Sequence, residues 1–98
     1  MEKLEPIHPG EILREEFLLP MNISQARLAE DTGIAPEEVE KIIEGKIAVA
    51  PNAALRLSLY FGLSERFWLN LQSRYDLETE KDKLAGRLQR EVRVLAAV

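Results

Sequence analysis

No cysteine occurs in the 98 residues, so disulfides and thiolate metal sites are excluded. That absence fits a reducing compartment, and the expected location is the cytoplasm. There is one histidine, His8, and one tryptophan, Trp68. A lone histidine with no nucleophile or partner carboxylate pattern makes a poor catalytic base, and its expected role is capping or packing. The chain carries no Ser/His/Asp arrangement, no metal-ligand cluster and no phosphate-cradling glycine loop. It reads as a non-enzyme with no catalytic residue, no metal and no cofactor. No run approaches the ~20 apolar residues of a membrane span. The start, Met1-Glu2-Lys3-Leu4-Glu5-Pro6, lacks the basic region and apolar run of a signal peptide, so no membrane partner is expected. Positive charge is also short: 13 Lys and Arg face 17 Asp and Glu, a net −4. Electrostatics thus favour a basic partner.

What is present is enough for one domain with a modest core, 46% of residues being hydrophobic. Residues 1–76, with 8 basic and 13 acidic groups, read as a helical domain, and residues 77–98, with 5 and 4, as a helical extension. Pro9 suits the first turn of an opening helix. Ile12, Leu13 and Phe17 give that helix its apolar stripe, and Pro20 is expected to stop it. Ser24 is a good N-cap for a second helix from Gln25 to about Thr32. A third opens after Ala35 with Pro36 at its first position and closes at Gly45. Lys46–Ala50 reads as an extended link. A fourth helix follows Pro51, with Ala54, Leu57, Ser58 and Phe61 on one face and Leu55 and Leu59 widening it. Ser64 is placed to cap a fifth, from Glu65 to about Ser73, where Phe67 and Trp68 are expected in the core rather than as a base-stacking surface. A break is expected near Arg74–Asp76. Beyond it Leu77, Leu84, Leu88, Val92 and Leu95 recur at near-heptad spacing on one further helix. The fold class is all-α: five short helices plus a C-terminal helical extension.

The strongest local pattern runs from Gln25 to Ile42. Ala29 stands four residues before Gly33, Val39 six after it and Ile42 three beyond that. Closely crossed helices need a small side chain such as Ala29 where they touch, and a turn residue such as Gly33 that tolerates positive φ. Val39 and Ile42 fall on one face of the second helix and pack back on the first. This is the helix-turn-helix pattern, whose second helix commonly enters the DNA major groove. Double-stranded operator DNA is therefore an expected partner. Gln25, at a helix start, and Arg27 are candidate phosphate contacts. Lys41, opposite the Val39 and Ile42 side, and Lys46 are further candidates. Glu37 and Glu38 are DNA-facing by position, and either take part in base choice or complement the helix dipole. Residues 35–46 hold four glutamates and two lysines, so any DNA affinity depends on a few placed groups.

Three strings together carry a family resemblance: His8-Pro9-Gly10-Glu11-Ile12-Leu13, Ser24-Gln25 through Gly45-Lys46, and Phe67-Trp68-Leu69-Asn70-Leu71-Gln72 followed by Tyr75-Asp76-Leu77. Over about residues 6–78 the chain resembles the HigA-type addiction-module antitoxins, within the repressor-like (XRE) helix-turn-helix family. The resemblance implies a five-helix repressor-like domain, usually dimeric. It implies a protein that neutralises a small RelE-like, mRNA-cleaving toxin and, alone or with that toxin, represses its own promoter. Toxins that act on RNA tend to be basic, so Glu11, Glu15 and Glu16 of the first helix form a candidate toxin contact; a solvated helix face is the alternative. Leu84, Leu88, Val92 and Leu95 are the candidate homodimer contacts, with packing on the same chain or on another partner as alternatives. In one respect the chain departs from the family. The start of its recognition helix offers Ala35, Pro36, Glu37, Glu38 and Glu40 where relatives usually carry Ser, Thr, Arg, Gln or Asn. The alternative function is thus a protein-interaction module or stand-alone regulator whose operator binding is weakened or lost.

Overall fold

Prolines stand in the first turn of three helices, and the left-handed glycines Gly33 and Gly62 cap the ends of two helices, one of them opened by proline. The computed structural model describes residues 5–96. Helix α1 runs in three continuous stretches, α-helical over Pro9–Ile12, π-helical over Leu13–Leu18 and α-helical again over Leu19–Met21. It is followed by α2 (Gln25–Thr32), α3 (Pro36–Ile43), α4 (Pro51–Phe61), α5 (Phe67–Leu84) and α6 (Arg87–Glu91). Among the described residues there is no strand.

The sequence expectation that Pro20 ends the first helix is corrected. In the π-helical stretch the Leu19 N–H reaches five residues back to the Arg14 carbonyl. A proline ring ordinarily collides with the carbonyl four residues before it; the wider register relieves that collision. The helix therefore passes Pro20 and ends at Asn22, whose φ of 55° is one that asparagine tolerates better than most residues.

The core takes Leu13 and Leu18 from α1, Leu28 and Ala29 from α2, Val39 and Ile42 from α3, Ala53, Ala54 and Leu57 from α4, and Trp68 from α5. Leu55 and Leu59, expected to widen the buried face of α4, instead remain 50% and 85% exposed. The link between α3 and α4, expected to be extended throughout, bends at Lys46 and Ile47 and is extended at Ala50, and a buried glutamine holds it. Gln72 Oε1 accepts the Val49 N–H at 2.8 Å, while Gln72 Nε2 donates to Asp76 Oδ1 at 2.9 Å.

Two further corrections concern the C-terminal third. Ser64 caps no helix through its side chain; its carbonyl accepts the Phe67 N–H at 3.1 Å and α5 starts at Phe67. No break occurs near Arg74–Asp76, since α5 continues for 18 residues to Leu84. The break lies at Ala85 and Gly86, with φ of 34° and 86°. The expected single helix carrying Leu77, Leu84, Leu88, Val92 and Leu95 is therefore divided. Leu77 and Leu84 lie on α5, Leu88 on the short α6, and Val92 and Leu95 in non-helical chain beyond it.

Candidate nucleic-acid interface

Helices α2 and α3 meet around Gly33. Ser24 Oγ accepts the Arg27 N–H at 3.0 Å and so caps α2. Among the described residues the Gln25 and Ala26 N–H groups meet no backbone acceptor, which leaves the first turn of α2 as a cluster of donors pointing outward. At the other end Gly33 takes a φ of 77°. Thr32 Oγ1 donates back to the Leu28 carbonyl at 2.6 Å and accepts the Ile34 N–H at 3.3 Å. Arg56 of α4 donates to the Thr32 carbonyl at 2.8 Å and to Asn52 Oδ1 at 2.8 Å. A Cβ on Gly33 would meet that guanidinium. Arg56 thus neutralises the carbonyl end of α2 and fixes the angle at which α3 departs.

The same joint is tied from a second side. Asp31 Oδ2 accepts from Arg27 Nε at 3.3 Å and from the Tyr60 hydroxyl at 2.7 Å. The carboxylate holds the phenol proton and raises the Tyr60 pKa. Arg27 therefore sits exposed at the outer edge of α2, held by Asp31 yet open to solvent. Arg56, Tyr60 and Asp31 were not among the residues the sequence singled out; their partners lie 24 to 29 positions apart, beyond any local spacing rule.

Helix α3 buries Val39 and Ile42 and turns Glu37, Glu40, Lys41 and Glu44 to solvent. Those four recur at gaps of three, one and three residues, the spacing of a single outward stripe. Glu38 lies half-buried beside it. Lys46 follows the helix, its ammonium 3.3 Å from Glu44 and its N–H donating to the Lys41 carbonyl at 2.8 Å. Gln25, Arg27, Glu37, Lys41 and Lys46 are thus all exposed, and no described segment covers the outer face of α3.

His8 supports this face from behind. Its Nδ1 accepts the Gly10 N–H at 2.9 Å, which makes it the N-cap of α1, the structural role expected of it. It also bonds the Ile47 backbone just after α3, and its ring meets Tyr75 of α5 edge-on at 4.9 Å. Burial lowers its pKa from the ordinary histidine value, against the opposing pull of the Ile47 bond and Asp76. Protonation would also replace the Nδ1 lone pair that caps α1. The folded state thus binds fewer protons than the unfolded chain, and stability falls as pH drops through the ordinary histidine range. Urea unfolding between pH 7 and pH 5.5 is expected to show this loss, with a slope of at most about 1.4 kcal/mol per pH unit. His8→Asn, which keeps a capping acceptor, is expected to flatten it.

Glu11, Glu15 and Glu16 all lie exposed on α1, Glu15 paired with Arg14 at 2.7 Å. Beside them a cleft of about 390 Å³ is lined by Pro6, His8, Glu11, Arg14, Glu44 and Tyr75, among others. The C-terminal candidates divide: Leu84 is half-buried, while Leu88, Val92 and Leu95 are 42%, 58% and 91% exposed. No helix among the described residues is long and apolar enough to cross a membrane.

Comparison with known proteins agrees with this geometry. A family model described as helix-turn-helix matches residues 13–68. Virulence-associated protein I of Dichelobacter nodosus is 43% identical over 82 residues, which span 83% of this chain and 76% of that protein. Antitoxin HigA-1 of Vibrio cholerae is 40% identical over 75 residues, 76% of this chain and 70% of its own length. The solved structure of Pseudomonas aeruginosa antitoxin HigA with higBA promoter superposes with a TM-score of 0.88 at 40% identity, covering 93% of this chain and 99% of that one. The chain belongs to the HigA antitoxin family of helix-turn-helix proteins.

Proposed function

We propose that this protein is a DNA-binding antitoxin that represses its own promoter and neutralises a RelE-like, mRNA-cleaving toxin. The observation that carries the DNA half is the uncovered outer stripe of α3 beside the open first turn of α2. Arg27 and Lys46 stand on that side as phosphate contacts, and Gln25 supplies a side-chain donor at the start of α2. Glu37, Glu38 and Lys41 face the bases. The P. aeruginosa relative was solved with promoter DNA, which supports the same use here. The family is one of DNA-binding proteins without enzymatic activity.

Two partners complete the proposal. Glu11, Glu15 and Glu16 give α1 an acidic, solvent-exposed edge suited to a basic toxin. Residues 77–98 act as the dimerisation element through Leu84, Leu88, Val92 and Leu95, whose apolar surface stays largely exposed on one chain. A homodimer lets two α3 helices read half-sites about one DNA turn apart.

The test is gel retention of the protein's own promoter by the purified chain, alone and after co-expression with the product of the adjacent reading frame. Sequence-specific retention and co-elution of a basic partner are the expected results. Reversing Glu11, Glu15 and Glu16 to lysine should abolish co-elution and leave promoter retention in place. Co-elution unaffected by the reversal would remove α1 as the toxin surface. Absence of specific retention in both preparations would leave the chain a protein-interaction module.

A further inference from the structure

The outer stripe of α3 presents two exposed side chains of opposite charge, Glu37 and Lys41. Among the described residues Lys41 makes no ion pair, whereas Arg27 is tied to Asp31 and Lys46 to Glu44. Glu37 likewise has no described hydrogen-bond or ion-pair partner, although it lies four residues before Lys41 on the same exposed edge. Both side chains are thus free to bond elsewhere, and their chemistry differs in sign. An ammonium has three donors and no acceptor; an ionised carboxylate has acceptors only.

In the major groove each base answers one of these groups best. Guanine shows two acceptors, N7 and O6, and suits Lys41. Adenine pairs an acceptor with a donor, and thymine offers one acceptor beside a methyl group. Cytosine shows the N4 amino donor and no acceptor of its own, and suits Glu37. A carboxylate before guanine or thymine meets only acceptors, and before adenine meets N7 beside the N6 donor. Four residues of helix rise about 6 Å, and successive bases stand about 3.4 Å apart. The two contacts therefore fall within about two base pairs of each other.

We infer that Lys41 and Glu37 together select an operator half-site with a guanine and a cytosine within about two base pairs. The inference rests on the operator-binding reading above. It also gives the acidic start of α3 a use: Glu37 rejects bases that present acceptors alone, so the charge that weakens general DNA affinity sharpens base choice.

The test is selection of the full-length protein on a DNA library randomised across the half-site of its own promoter, with sequencing of the retained fraction. Circular dichroism confirms that each variant stays folded, as expected for substitutions at exposed positions. The wild type should enrich guanine at one position and cytosine at the other, each favoured roughly 5- to 150-fold over the wrong base. Lys41→Ala should lose the guanine preference alone. Glu37→Gln should move the cytosine preference to adenine, whose N6 and N7 match an amide. Lys46→Ala should weaken retention of all sequences alike without changing the motif. A specific motif that stays the same in both the Lys41 and Glu37 variants, or that carries A·T at both positions, overturns the inference and leaves operator binding standing. A wild type that enriches no sequence overturns both.

Discussion

Gly10→Ala is expected to lower stability by about 3 kcal/mol, at the upper end of what overpacking costs. Gly10 is buried in the first turn of α1, and a Cβ built there would overlap the backbone carbonyl of Ile42 near the end of α3. An exposed mid-helix Gly→Ala change would instead stabilise by up to about 1 kcal/mol. Here the obstacle decides the sign. It is main chain, so no rotamer change can clear it, and α1 or α3 must shift. For a domain of this size about 3 kcal/mol corresponds to a melting-temperature drop of roughly 12–24 °C. Thermal unfolding followed by circular dichroism measures it. A melting temperature within a few degrees of wild type would mean that α1 and α3 do not approach this closely. Because the clash falls on Ile42, the variant should also lose promoter affinity at temperatures where it stays folded.

Trp68→Ala is expected to cost about 3–5 kcal/mol. Trp68 is fully buried and joins three helices, with ring centroids 5.2 Å from Phe17 of α1, 6.3 Å from Phe61 of α4 and 5.1 Å from Phe67 of α5. Truncation leaves a cavity walled by aromatics that cannot close over it. Domains of this kind are stable by only about 5–15 kcal/mol, so the loss takes much of the total. Trp68→Phe is the informative partner. The indole Nε1 is buried with no hydrogen-bond partner among the described residues, so removing it relieves a desolvated donor while most of the ring packing remains. Urea midpoints should therefore rank wild type and Trp68→Phe close together and Trp68→Ala far below. Equal losses in both variants would mean that the indole nitrogen has an acceptor.

The helix-turn-helix was legible because each of its signals is local. Ser24 caps α2, Gly33 takes the positive φ, Pro36 opens α3, and Val39 with Ile42 face the core. The places where sequence reading failed have separate causes. Pro20 stops no helix because the π register before it changes which carbonyl the ring meets, and composition does not encode register. The expected break at Arg74–Asp76 does not occur. There α5 leaves the core, so its apolar periodicity fades while the helix itself continues. The leucine pattern past Leu77 suggested one rod. Ala85 and Gly86 lie within that pattern in the left-handed region, and the chain turns there. Leu55 and Leu59 fit the apolar pattern of α4 yet stay exposed, since Ala53, Ala54 and Leu57 form its buried face.

At the proposed interface, the sequence points to the groups proposed to meet DNA but not to those that aim them. Gln25, Arg27, Lys41 and Lys46 follow from position in the motif. The Arg56 bond to the Thr32 carbonyl and the Tyr60 bond to Asp31 join α4 to α2 across long stretches of chain. His8 was correctly assigned to capping, but its reach to Ile47 and Tyr75 needed the folded chain.

The outer edge of α3 is proposed to dock on operator DNA through a few placed cations despite the net −4 charge. Titrating the purified chain against its own promoter and against unrelated DNA of equal length, at several salt concentrations, tests it directly. With Arg27 and Lys46 of two protomers on phosphates, log K should fall against log salt with a slope of about −3.6, and Lys46→Ala should make that slope shallower by about 2. Retention that is equally weak on both DNAs, at every salt concentration, would contradict it.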